Sequence, residues 1–418
     1  MSDSTLKYPS DLPKSSRRFF LQTGVAIGGL LGACTSKNSQ NSVQNLGKAP
    51  SKYGQRSPYE ESYRLVRPSS SGGSSPGGTP EAGLSRTPLQ DSHGIITPSS
   101  LHFERHHAGV PEIDPTQHRL LIHGLVERPL IFTMEDLLQL PSISQILFVE
   151  CSGNSQTEWS KSGTNVQRSH GNASCSEWTG VKLSLILKEM GIQPEGKWIV
   201  AEGADACKMH RSLPLEKAIE DMIIAYGQNG EAIRPEQGYP LRLVVPGWEG
   251  NTHVKWLRRI KVVNQPYMGR EETSKYTDLL PDGTARQFTF AMEAKSVITY
   301  PSGGHKLSGP GSYEITGLAW SGRGLINKVE ISADNGQSWQ EAELQEPRLP
   351  ICFTRFRFPW QWKGQAVTLQ SRCTDETGYI QPSREELVNV RGLNTFYHFN
   401  GTKTWQVLPN GQVENVSI

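Results

Sequence analysis

Few residues in this chain can do chemistry unaided, and they lie far apart. Ile146-Leu147-Phe148-Val149-Glu150 runs into Cys151-Ser152-Gly153-Asn154, which puts a thiol where an apolar run meets a small-residue turn. Reactive groups are commonly presented at such a place. Six cysteines occur, and with Cys34 assigned to the N-terminal segment, Cys151, Cys175, Cys207, Cys352 and Cys373 remain. An odd cysteine is a candidate thiolate, the form that ligates metals. Taken alone, a cysteine at a strand end is more often a packing residue than a ligand. No C-x-x-C pair is present, which argues against a zinc ribbon or a dithiol redox site. Neither a haem-attachment C-x-x-C-H nor an iron–sulfur pattern is encoded. His102, His106 and His107 cluster, but their spacing fits no common zinc site.

Two further stretches gather cations. One is Phe103-Glu104-Arg105-His106-His107-Ala108-Gly109-Val110-Pro111, which reads as a basic loop. The other, Asn251-Thr252-His253-Val254-Lys255-Trp256-Leu257, brings a His and a Lys into apolar company. Guanidinium and ammonium groups suit oxyanions, the former because they stay charged and offer paired donors.

These groups need elements to hold them. Leu120 to Val126 reads as a strand and turn. Thr133 is placed to cap a short helix with Glu135 and Asp136 in its first turn. Leu183 to Met190 fits a helix closed by Gly191. Ile146–Glu150, Trp198–Ala201 and Leu241–Val245 read as buried strands. Strands and short helices together indicate a mixed α/β or α+β region. Past about Gln287 the pattern changes. Tyr313–Trp320, Lys328–Ser332, Phe353–Phe358 and Val367–Cys373 alternate with period two, with a turn at Asp334-Asn335-Gly336. Short alternating strands at regular spacing predict a β-sandwich.

The N-terminus reads as an address. Ser16-Arg17-Arg18-Phe19-Phe20-Leu21 followed by an apolar stretch to Ala33 resembles a twin-arginine export signal over residues 1–34, implying a periplasmic protein. Leu31-Gly32-Ala33-Cys34 fits either a lipobox, with Cys34 lipid-anchored, or an ordinary cleavage site. Residues 35–100 are rich in Ser, Gly and Pro, and a disordered linker is expected there. Folded domains are expected over 101–286 and 287–418. A formal net charge of +2 on 418 residues makes a nucleic-acid binder a poor default.

In combination, these motifs resemble the sulfite oxidase family of molybdenum enzymes. The resemblance covers nearly all of residues 101–418 and rests on Glu150-Cys151-Ser152-Gly153-Asn154 and the two cationic stretches. Ser174-Cys175-Ser176-Glu177-Trp178-Thr179-Gly180, Pro246-Gly247-Trp248-Glu249-Gly250-Asn251 and Glu293-Ala294-Lys295-Ser296 are similar to one subgroup. That subgroup is the molybdenum subunits of sulfane dehydrogenases (SoxC-like) in the Sox sulfur-oxidation system. The resemblance implies a molybdopterin-binding domain followed by an immunoglobulin-like β-sandwich dimerisation domain, hence a homodimeric core.

It also implies roles. Cys151 would ligate molybdenum, and a soft thiolate suits that metal. Phe103, Arg105, His106, His107, Asp205, Arg242, His253, Val254 and Lys255 would bind the molybdopterin. Arg105, Tyr276 and Arg391 would act on substrate. The activity implied is oxidation of carrier-bound sulfane sulfur by oxygen-atom transfer, with electrons passing to a separate c-type cytochrome. A sulfur-carrier protein would then be the substrate's bearer. Direct sulfite dehydrogenation, reduction of a sulfoxide or nitrate, and a non-enzymatic scaffold are the competing readings. The sequence departs from the animal-type pattern at Ser155 and Gln156, where arginines are expected, and at Gln237, where a His is common. Loss of those arginines weakens a pocket for free sulfite dianion.

Overall fold

The computed structural model describes residues 49–68, 81–160 and 164–416. Residues 1–59 and 60–418 are separate units. Of the first, residues 49–59 are exposed and form neither helix nor strand. The expected export signal and Cys34 lie outside the described residues. No helix among those described is long and apolar enough to cross a membrane.

The second unit opens with a small antiparallel sheet of β1 (Leu65–Pro68), β2 (Gly83–Arg86) and β3 (Glu104–His106). This corrects the expected linker at residues 65–68 and 81–100. Ala82, Ser85, Leu89 and Thr97 are buried, and the Thr97 amide donates to the Cys175 carbonyl at 2.7 Å. The Ser- and Gly-rich run masks these isolated buried positions, which gain order from tertiary pairing rather than from local periodicity.

Two five-stranded sheets follow. β4 (Leu120–Gly124), β5 (Leu130–Phe132), β6 (Ser142–Glu150) and β7 (Ala173–Lys182) come first in the chain. β8 (Trp198–Gly203), β9 (His210–Pro214), β10 (Ile223–Gln228), β11 (Glu231–Ala232), β12 (Arg242–Val244) and β13 (Leu257–Val263) complete the set. One sheet runs β11-β10-β7-β6, with β12 also on β10; the other runs β5-β4-β13-β8-β9. Only β4 and β13 pair in parallel within these two sheets. The Leu183–Met190 helix buries Leu183, Ile186, Leu187 and Met190, one apolar face at helical spacing, each contributing about 1.5–3 kcal/mol relative to exposure. Gly191 closes it at φ 70°, and Thr133 caps its own helix through a reciprocal bond with Asp136.

After a short ladder of β14 (Asp278–Leu279) and β15 (Ala285–Arg286) comes the sandwich. It comprises β16 (Lys295–Tyr300), β17 (Gly311–Trp320), β18 (Ile326–Ser332), β19 (Gln340–Glu341), β20 (Glu343–Leu344), β21 (Thr354–Trp362), β22 (Val367–Asp375), β23 (Thr404–Val407) and β24 (Val413–Asn415). Its sheets are β16-β17-β21-β20 and β19-β18-β22-β23-β24. The expected alternation holds: Leu369, Ser371 and Cys373 on β22 are buried while their neighbours are partly exposed. One apolar cluster joins Phe148 and Cys175 of the first sheet to Trp320, Phe353 and Trp405 of the sandwich, so the sandwich packs directly behind β6 and the turn it feeds.

Candidate active site

At the end of β6 lies a cavity. Phe103, Arg105, His106, His107, Cys151, Asp205, Arg242, His253, Val254, Lys255 and Tyr276 all line it. Ten of these came from two basic stretches, one strand end and two strand-edge positions, and the fold brings them to one surface. Arg391 alone among the expected site residues does not. Its side chain is buried, its guanidinium pairs with Glu293 at 3.2 Å, and it does not line the cavity. Its Nη1 is buried and has no partner. Arg391 ends the Arg384–Arg391 helix and so fixes the start of the segment carrying Phe396 and Tyr397.

Cys151 hangs from a tightly held turn. Its amide donates to the Asn172 carbonyl at 2.9 Å, and its carbonyl accepts from the Asn154 amide at 2.8 Å. Asn154 also donates to the Glu150 carboxylate at 2.9 Å. Burial pushes the Cys151 thiol up, while the Gly153 amide and the Arg105 charge act the other way. Arg105 is thus the guanidinium whose charge favours the thiolate.

Tyr276 has φ 53° and faces His107, whose Nε2 lies 3.2 Å from the phenol oxygen. Burial, and then the neighbouring Cys151, push the phenol up, so it stays protonated. His107 is pushed down to about 3 by burial and then by Arg105, so it stays neutral. The pair is therefore an uncharged hydrogen-bonding couple on the cavity wall.

The deeper wall is cationic. Lys255 donates to the Arg105 carbonyl at 3.2 Å, the Glu236 carbonyl at 3.0 Å and His106 Nδ1 at 2.9 Å. His106 Nε2 in turn donates to Glu104 at 2.6 Å, and Glu104 is ion-paired with Arg64 just ahead of β1. Arg242 lies over the Trp178 ring at 4.8 Å and donates to Gln237. Its buried Nε has no partner. Burial lowers Arg242 to about 9, and burial followed by Arg242 lowers Lys255 to about 7. Crowded, desolvated cations with an unsatisfied donor fit a multiply charged anionic group such as the phosphate of a pterin cofactor. Gln237, the departure from the usual His, donates to the Phe103 carbonyl at 2.8 Å and orders the same wall. Among the described residues no cluster of His, Cys, Asp and Glu could hold a metal ion by itself. A metal at Cys151 would therefore need further ligands from a bound group, which is what a dithiolene supplies.

Several residues that sequence reasoning left without a role shape the site. Asn251 donates to the Ser152 hydroxyl at 3.1 Å and accepts from Arg211. Arg211 stacks over Tyr276 at 5.1 Å and pairs with Glu249 at 3.3 Å. Glu249 accepts from His398 at 3.1 Å, and the His398 amide donates to the Ser152 carbonyl at 2.8 Å. Tyr397 packs on Tyr276 with ring centroids 5.3 Å apart. A side chain built on Gly153 would meet the Phe396 ring at 3.5 Å and Cys151 Sγ at 3.9 Å, so an aromatic edge sits beside the Cys151 turn. Asn251 and Glu249 stand in a motif already singled out; Arg211, His398 and the two rings carry no local signal. Ser155 and Gln156 bring no charge to the turn.

Comparison with known proteins agrees with this geometry. Residues 107–271 match the family described as oxidoreductase molybdopterin binding domain, and residues 286–404 match Mo-co oxidoreductase dimerisation domain. The crystal structure of the sulfane dehydrogenase SoxCD from Paracoccus pantotrophus superposes with a TM-score of 0.82 at 44% identity, covering 90% of this chain and 98% of that one. Mitochondrial sulfite oxidase of Drosophila melanogaster is 30% identical over 336 residues, 73% of this chain and 58% of that protein. Nitrate reductase [NAD(P)H] of Hordeum vulgare is 32% identical over 341 residues, 70% of this chain and 37% of that protein. The chain thus spans well under two thirds of these two longer relatives.

Proposed function

Since this chain belongs to the sulfite oxidase family of molybdopterin oxidoreductases, we propose that it oxidises sulfane sulfur borne on a carrier protein and passes the electrons to a c-type cytochrome. Its molybdenum–molybdopterin group, when bound, supplies oxygen-atom transfer and takes up two electrons. Cys151 would ligate the metal, and Arg242, Lys255, His106 and His253 would hold the anionic end of the pterin. Arg105, close enough to act on the Cys151 thiol, would hold the anionic sulfur group. The neutral Tyr276–His107 couple would orient it by hydrogen bonding, with Arg211 and Tyr397 keeping the phenol in place.

One observation carries the choice of substrate. The Cys151 turn has Ser155 and Gln156 beside it, Arg391 pairs with Glu293 away from the cavity lining, and a half-exposed Phe396 borders the turn. A small dianion would want more cations there, whereas sulfur attached to a larger body would gain from an apolar rim. The similarity to a sulfane dehydrogenase supports the same reading. The lack of a C-x-x-C-H or iron–sulfur cysteine pattern supports a separate cytochrome acceptor, and the dimerisation-domain match supports a homodimer. The resemblance of residues 16–21 to a twin-arginine signal supports a periplasmic location, with Cys34 either a lipid anchor or a passive terminus.

Steady-state turnover of the metal-loaded enzyme with oxidised cytochrome c tests this. Carrier-bound persulfide is expected to give kcat/KM at least about tenfold above sulfite, and Phe396→Ala to erode that preference by raising KM for the carrier alone. Preference for free sulfite would establish direct sulfite dehydrogenation instead. Turnover only with reduced dyes and nitrate or a sulfoxide would reverse the direction of the reaction.

A further inference from the structure

Cys175 and Cys352 stand 177 positions apart in the chain, yet their sulfurs are 3.3 Å apart. Cys175 sits in the middle of β7, which pairs with the strand leading to Cys151. Cys352 immediately precedes Phe353 and β21 of the sandwich. Both are buried, at 0% and 1% exposure. The surrounding frame fixes them from each side. The Cys175 amide donates to the Thr97 hydroxyl at 3.1 Å and its carbonyl accepts from the Thr97 amide at 2.7 Å. Next to Cys352, the Ile351 carbonyl accepts from the Phe148 amide at 3.0 Å, and the Phe353 ring stacks on Phe148 with centroids 6.4 Å apart. Among the described residues, the other cysteines away from Cys151 are otherwise engaged: Cys207 donates to Asp205 at 2.7 Å and Cys373 faces Gln381 at 3.7 Å.

We propose that Cys175 and Cys352 are the site of a disulfide that ties the molybdopterin-binding half of the chain to its sandwich. A disulfide needs an S–S separation of about 2.04 Å, so the sulfurs must close by about 1.3 Å. In the reaction the two thiols lose two protons and two electrons and form one S–S bond. A disulfide oxidant such as glutathione disulfide loses its own S–S bond and leaves as two thiols. Burial holds the Cys175 thiol far above its ordinary range, so the exchange proceeds through openings that expose the sulfurs rather than in the closed form. Once formed, the bond lies out of reach of exposed reductants.

The test uses the full chain with its cofactor, equilibrated with glutathione disulfide and a disulfide isomerase until the thiol count is constant. It is then denatured with iodoacetamide, without reductant, and digested for mass spectrometry. The expected product is one linked peptide pair carrying positions 175 and 352, two hydrogens lighter than the free peptides. It should be lost in Cys175→Ser and in Cys352→Ser. The melting temperature of the wild type should fall when the bond is reduced in the unfolded chain, with no such change in Cys352→Ser. Alkylation of both cysteines at the plateau would overturn the proposal, as would a linked pair that uses Cys207 or Cys373 in their place.

Discussion

The carboxylate of Glu150, one residue before Cys151, is ion-paired with Lys295 at the start of the sandwich, and neither side chain is more than 1% exposed. Trp320 Nε1 donates to the same carboxylate at 2.7 Å and Asn154 Nδ2 at 2.9 Å. The sandwich therefore holds the strand that presents the thiol, and the proposed metal ligand depends on contacts made over a hundred residues away. Removing one partner leaves an uncompensated buried charge. Lys295→Met should lower stability by about 3–5 kcal/mol, read by urea or thermal unfolding. Adding Glu150→Gln should recover part of that loss, and the double-mutant cycle should show strong coupling.

A second seam between the two halves is made of backbone. A Cβ on Gly247 would stand 2.2 Å from the Gly322 carbonyl oxygen, and one on Gly322 would stand 1.9 Å from the Gly247 carbonyl oxygen. Gly247 also has φ +76°. Gly230 has nearly the same φ, +77°, but open space around it. Gly247→Ala should thus pay for a steric collision as well as strain, and lose clearly more stability than Gly230→Ala, whose cost is about 1 kcal/mol. Equal unfolding midpoints for the two variants would show that the close approach does not matter.

Much of this was legible in the residues. The Leu183–Met190 helix, the Thr133 cap and the alternating strands of the sandwich carry their own periodicity or capping chemistry, and each forms where it is expected. The cavity lining was legible through motif resemblance, because Cys151 and the two cationic stretches are contiguous in sequence. What was not legible is whatever depends on partners from distant segments. The pairing of Arg391 with Glu293 carries no signal in the sequence around either residue. Residues 81–100 read as linker because their buried side chains, Ala82, Leu89 and Thr97, follow no period. Arg211 and His398 are single polar residues whose role comes only from meeting at Glu249.

The cationic wall gives a pH signature. In the cofactor-free chain Lys255 titrates at about 7, held down by burial and by Arg242. Below pH 7 it is charged and assists an anion; above, it is neutral. Sulfate keeps one charge state across this range, so its affinity should fall about tenfold between pH 6 and pH 8 by calorimetry, and Lys255→Met should abolish the change. The linked effect on folding has the opposite sense. Because the folded value lies below the ordinary 10.5, the unfolded chain binds the extra proton between about pH 7 and 10.5. Stability from this group should rise with pH through that window, by up to about tenfold in the folding constant per pH unit.

The most direct test of the account is the number of sulfur atoms around molybdenum in the metal-loaded protein, read by X-ray absorption in the wild type and in Cys151→Ser. The variant is expected to keep its fold and to show one sulfur fewer, with turnover abolished. An unchanged sulfur count with retained turnover would contradict the assignment of Cys151 and the site built around it.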